Sequence, residues 1–205
     1  MPDTLLLAAE YAGVFAFAIS GALVAREKGM DVFGFVVLAL MPAIAGGTIR
    51  DLVLGVPVFW VVQEASLYIA LAAALLVFFA DRFVFRTQFF LNWLDALGLS
   101  VFCVLGAAKA LAVTGSPTIA VVLGVVTAVA GGILRDVIAN KLPLVLHREI
   151  YATAAFLGAL SYILLDALGV PFSVWLAILV AFVARAVGLL TGFELPRAQG
   201  GKDEP

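Results

Sequence analysis

The stretch "AIAGGTIRDLVLG" (Ala43–Gly55) decides how this chain is read. Glycine is the poorest ordinary helix former, and a charge is costly inside a bilayer. Yet Gly46, Gly47, Arg50 and Asp51 lie together in one apolar run. The stretch "AVAGGILRDVIAN" (Ala128–Asn140) repeats the arrangement 85 residues later, with Gly131, Gly132, Arg135 and Asp136.

The surrounding composition says what kind of run this is. The 205 residues are 64% hydrophobic and only 13% charged, against about 25% charged in a soluble domain. A soluble fold has nowhere to bury so much apolar surface, so the chain is read as an all-α integral membrane protein. A net charge of -2 without a basic stripe argues against nucleic acid. One cysteine (Cys103) and one histidine (His147) exclude an internal disulfide and a Cys/His metal cluster, and no cofactor is expected. There is no Walker loop and no nucleophile with a partnered base, so no enzyme is read here.

About 20 apolar residues cross the hydrocarbon core as a helix. Seven spans meet that standard approximately: Leu5–Ala25, Val32–Leu54, Val61–Ala80, Trp93–Val113, Thr118–Ala139, Ile150–Leu168 and Pro171–Leu190. Residues 1–192 form a single transmembrane domain, and the polar tail 193–205 is expected to be disordered. No basic residue precedes the first run, which is therefore expected to be retained rather than cleaved. Arg26, Lys28, Arg82, Arg86, Lys141, Arg148, Arg197 and Lys202 fall on one side of this topology. The positive-inside rule then puts the C-terminus in the cytoplasm and the N-terminus outside a cell membrane.

A shift of 85 residues superposes more than the glycine motifs. Gly13 falls on Gly98, Gly21 on Gly106, Glu64 on Glu149, and Glu10 on the acidic Asp95. Each copy (5–80 and 93–168) contains three spans, and three is odd, so the copies are inverted; the seventh span (171–190) lies outside them. Inverted repeats with corresponding Gly-interrupted helices point to a solute site near the midplane. From Asp31 to Gln63 the chain is too long for one straight span, and each such segment is expected to break or kink at its glycine pair. Freed carbonyls at a break suit a cation. Arg50 is expected to pair with Asp136, and Arg135 with Asp51, across the pseudo-two-fold axis, because charges at membrane depth need partners. Lys109 lies within the fourth span, lining the route or snorkelling to the interface. Ser20, Ser100, Thr48 and Thr127 offer hydroxyl oxygens to an ion or to their own helix. Glu64 and Glu149 either draw cations to the two mouths or mark ordinary solvated helix starts.

Three spans, three inverted spans and one more, with "GGTIRD" and "GGILRD" in spans two and five, resemble the trimeric intracellular cation (TRIC) channels, in particular their prokaryotic branch. The resemblance covers nearly all of Leu5–Leu190. It implies a homotrimer with a pore in each protomer, lined by spans two and five kinked at their glycines. The implied activity is passage of monovalent cations, chiefly K⁺, with Na⁺ as the other permeant ion and the bilayer and bound lipid as partners. The same branch is described under a glycine-transporter heading, so the alternative is a secondary transporter for a small glycine-like zwitterion. The short tail lacks the dense basic stretch of animal members, which favours a bacterial or archaeal plasma membrane.

Overall fold

A computed structural model describes residues 3–80, 87–147 and 150–192. Glu149, Arg82, Arg86, Arg148 and the tail 193–205 lie outside the described residues. The fold is all-helical there: α1 (Asp3–Glu27), α2 (Val32–Leu54), α3 (Phe59–Val62), α4 (Ala65–Phe79), α5 (Thr87–Thr114), α6 (Pro117–Ile138), α7 (Leu144–His147), α8 (Ala152–Ala167) and α9 (Ser173–Thr191).

Five of these helices, α1, α2, α5, α6 and α9, are long and apolar enough to cross a membrane. The third and sixth expected spans are shorter. Gln63 and Glu64 interrupt the third, leaving the four-residue α3 and the 15-residue α4. The sixth is the 16-residue α8 behind the four-residue α7. Large apolar side chains are exposed along every long helix, from Phe15 on α1 to Leu190 on α9. Such a surface is stable only against lipid or other apolar partners.

The packing follows the repeat. α1 lies against α2, α4 and α5, while α5 lies against α6, α8 and α1. α2 and α6 cross each other, and α9 packs on the second repeat, against α5 and α8. Phe17 and Phe102, equivalent under the shift of 85, stack on each other with ring centroids 5.5 Å apart and planes 3° from parallel. Gly13 abuts Phe102 and Gly98 abuts Phe17, so small residues in α1 and α5 admit the two rings.

The glycine pairs do not break their helices. Both α2 and α6 run as α-helix through the motif, and Gly46 and Gly131 lie at the crossing of the two helices. A Cβ on Gly46 would stand 1.9 Å from the Thr127 carbonyl oxygen, and one on Gly131 would stand 2.5 Å from that of Pro42. Pro42 and Thr127 are themselves equivalent positions, so the crossing is two-fold about the motif. Backbone meets backbone only because neither glycine carries a side chain.

A freed carbonyl does exist, but Pro42 creates it. Proline has no N–H, so the Leu38 carbonyl one turn earlier loses its helical donor. Gly21 of α1 sits against that oxygen, where a Cβ would come to 1.8 Å. At the equivalent position Thr127 retains the backbone donor and adds its hydroxyl, which donates to Leu123 O at 2.6 Å.

The extra length after each motif goes into a turn and a short returning helix. Gly55, at φ 65°, ends α2, and Asn140, at φ 50°, follows α6 at the equivalent position. Left-handed backbone suits glycine, and asparagine is among the few side chains that tolerate it.

Candidate functional site

The Arg–Asp pairs bond locally rather than across the axis, contrary to the expected crossed pairing. Arg50 Nε donates to Asp51 Oδ1 at 2.8 Å, and Arg135 Nε donates to Asp136 Oδ1 at 2.8 Å. Adjacent residues on a helix diverge, but the flexible arginine stem swings the guanidinium back to its neighbour. Each carboxylate is also held from the far side. Phe59 N donates to Asp51 Oδ2 at 2.8 Å, and Leu144 N donates to Asp136 Oδ2 at 3.1 Å. Thus each aspartate lies in the last turn of one long helix and caps the start of the short helix that follows, where backbone donors lack helical partners.

Here the two halves part company. In the second, Arg135 Nη1 also donates to Asp95 Oδ1 at 2.7 Å and to Ser20 Oγ at 3.0 Å. Arg135 and Asp95 are both 0% exposed. Tyr151 packs beside this cluster, and Arg185 of α9 lies over the Tyr151 ring, 5.0 Å from its centroid. Arg185 is buried, and its Nη1 donates to Ile150 O at 3.5 Å. In the first half, Asp51 Oδ1 accepts a further bond from Lys109 Nζ at 2.8 Å. Lys109 therefore turns inward to a carboxylate while its side chain remains 34% exposed. Val24 stands at the equivalent place in the second half.

Two cavities flank these clusters. The first, about 400 Å³, opens where α1 begins and α2 and α5 end, and Glu10, Arg50, Phe59, Gln63 and Lys109 are among its walls. The second, about 290 Å³, lies where α1 and α6 end and α5 begins, walled by Val24, Gln88, Leu91, Asp136, Lys141, Leu142 and Leu144. Leu6, Pro57, Phe59 and Lys109 of the first answer to Leu91, Leu142, Leu144 and Val24 of the second. The cavities are pseudo-two-fold mates at opposite ends of the bundle. Lys141 at the second also donates to Glu27 Oε2 at 2.6 Å.

The expected hydroxyl ligands turn to their own helices: Ser20 to Phe17 O, Ser100 to Ala96 O, Thr48 to Ile44 O and Thr127 to Leu123 O. Ser20, Ser100 and Thr127 are buried, and Thr48 accepts a bond from Trp60 Nε1 at 2.8 Å. Glu64 is exposed beside Gln63 and accepts a hydrogen bond from Tyr68 at 3.2 Å. Gly47 and Gly132 face side chains, the Phe59 ring and the Tyr151 hydroxyl respectively. Glu10, Asp95, Phe59, Tyr151 and Arg185 escaped the sequence reading as site residues. The coincidence of Glu10 with Asp95 under the shift was the one available signal.

Fold and site together define a polytopic helical membrane protein built from inverted repeats, with charged cavities entering from both ends. A family model described as "Glycine transporter" matches residues 7–82 and again residues 92–167. The inner membrane protein YadS of Escherichia coli K12 is 45% identical over 150 residues, 72% of each chain. The membrane protein YvgT of Bacillus subtilis 168 is 37% identical over 187 residues, 90% of this chain and 92% of its own. The TRIC trimeric intracellular cation channel orthologue from Rhodobacter sphaeroides superposes with a TM-score of 0.88 at 45% identity, covering 93% of this chain and 100% of that one. A prokaryotic TRIC channel crystallised in 0.5 M KCl gives a TM-score of 0.88 at 32% identity, covering 94% and 99%. The chain belongs to the prokaryotic TRIC cation channel family.

Proposed function

We propose that each protomer conducts monovalent cations, chiefly K⁺, through its own helical bundle, and that three protomers assemble as a homotrimer in the cell membrane. The observation that carries this reading is the pair of mated cavities at opposite ends of the same bundle, about 400 and 290 Å³. α2 and α6 run between them, crossing at Gly46 and Gly131. Charged groups buried in protein or facing water are the ones a membrane helix tolerates, and they mark ion routes. Lys109 is the movable element of the first cavity in this reading. Its partly exposed side chain binds Asp51 or swings into the cavity, and the second position raises an electrostatic barrier to cations. The orientation with a cytoplasmic C-terminus rests on the lysine and arginine distribution.

A second reading, transport of a small zwitterion, draws on the family model's description and on the mixed charge of the first cavity, where Glu10 faces Arg50 and Lys109. Planar-bilayer recording of the purified protein separates the two. Unitary currents in symmetric KCl are expected. Saturable glycine uptake into proteoliposomes without unitary currents overturns the channel in favour of the transporter.

A further inference from the structure

We infer that Glu10 is the specificity-determining residue that makes the first cavity select cations over anions; this rests on the channel reading above. Four charged groups gather there: Glu10, Arg50, Asp51 and Lys109. Asp51 is 0% exposed, and its two oxygens already hold Arg50, Lys109 and the Phe59 amide. It has no face left for a passing ion. Glu10 lines the cavity, is only partly buried, and forms no ion pair among the described residues. The guanidinium of Arg50 and the ammonium of Lys109 both border the same space.

The charge balance makes Glu10 decisive. With it the four groups sum to zero, and a free carboxylate faces the ion. Without it they sum to one positive charge, and the cavity attracts anions. A cleft lined by one sign of charge concentrates the opposite ion by about tenfold or more. The repeat supplies an internal comparison. Asp95, the residue equivalent to Glu10, is committed to Arg135 at 2.7 Å and is 0% exposed. The same acidic position thus neutralises an arginine in one half and remains available to solute in the other.

The test is the reversal potential in a KCl gradient across a planar bilayer. Glu10→Gln is expected to lower the K⁺/Cl⁻ permeability ratio about tenfold, and Glu10→Asp to keep it near the original. Cys103 is fully buried, so a Glu10→Cys variant offers a single accessible thiol. A sulfonate-bearing thiol reagent is expected to restore cation preference on that variant, and an ammonium-bearing one to depress it further. These reagents act on channels already conducting, so misfolding of Glu10→Gln does not blunt the test. Conducting variants with an unchanged reversal potential, before and after modification, overturn the assignment and leave the channel reading standing. A parent protein that passes no current overturns both.

Discussion

Gly46 of α2 rests against the carbonyl oxygen of Thr127 on α6, so closely that a Cβ would lie 1.9 Å from it. Gly131 makes the reciprocal approach to Pro42, at 2.5 Å. Real side-chain atoms do not reach such distances, and the obstacle is backbone, which cannot rotate away. Gly46→Ala and Gly131→Ala are therefore expected to force α2 and α6 apart. Overpacking of this kind costs about 1–3 kcal/mol or more, outweighing the gain of about 1 kcal/mol in helix propensity. Gly47→Ala meets the Phe59 ring at 2.6 Å, a side chain that can shift, and should cost less. Thermal unfolding of the purified variants in detergent orders the three; an unshifted midpoint for Gly46→Ala contradicts the crossing.

Local pairing of Arg50 with Asp51 makes a claim that a double-mutant cycle can read. Arg50→Gln combined with Asp51→Asn should be strongly non-additive in stability. Combined instead with Asp136→Asn, it should add to within about 0.5 kcal/mol, as independent sites do. Coupling concentrated in the second combination would restore the crossed pairing.

The two repeats should also differ in how they bear the loss of one member of their charge clusters. Asp136→Asn leaves Arg135 paired with Asp95 but removes a buried charge-assisted hydrogen bond and weakens the acceptor for Leu144 N; hydrogen bonds to charged groups are worth about 1.5–3 kcal/mol. In the first half, Lys109→Met leaves Asp51 still paired with Arg50, and the lysine removed is 34% exposed. Denaturation should show a large loss for Asp136→Asn and a small one for Lys109→Met, while single-channel recording should show the opposite emphasis, with altered gating in Lys109→Met.

Gly55 and Asn140 provide a matched pair for backbone strain. Nothing lies within 4 Å of where a Gly55 Cβ would be, so Gly55→Ala tests conformation alone at φ 65°. It should destabilise by about 1–2 kcal/mol. Asn140→Gly, at φ 50°, should be neutral or stabilising. Equal effects of the two substitutions on the unfolding midpoint would refute the strain argument.

Much of the architecture was legible because it is written in periodic, local terms. The bounds of α2 follow from run length, and the repeated halves from the shift of 85. Arg50, Asp51, Arg135 and Asp136 stand out because charge is rare in such runs. What the residues do to one another was less legible. A Gly-Gly pair in an apolar helix signals a break or a close crossing with equal force, and only the position of Thr127 and Pro42 on the facing helix distinguishes them. The Arg–Asp partners were misjudged because residue spacing along a helix ignores the reach of an arginine stem. Asp95 and Glu10 were overlooked because their difference depends on Arg135 and the first cavity, each assembled from distant segments. Arg185 lies on the helix outside the repeat and has no symmetry mate, so the shift of 85 gives no hint of its place beside Tyr151.

One feature binds charge to chain direction. Asp51 gives one oxygen to cations and the other to the Phe59 amide that begins the returning helix, and Asp136 does the same with Leu144. The side-chain cation on one oxygen and the turn held by the other are thereby tied through a single carboxylate. Electrical state and loop position then form a single mechanical coordinate at each end of the bundle. At the first end that link includes a partly exposed lysine, Lys109, and at the second the fully buried Arg135.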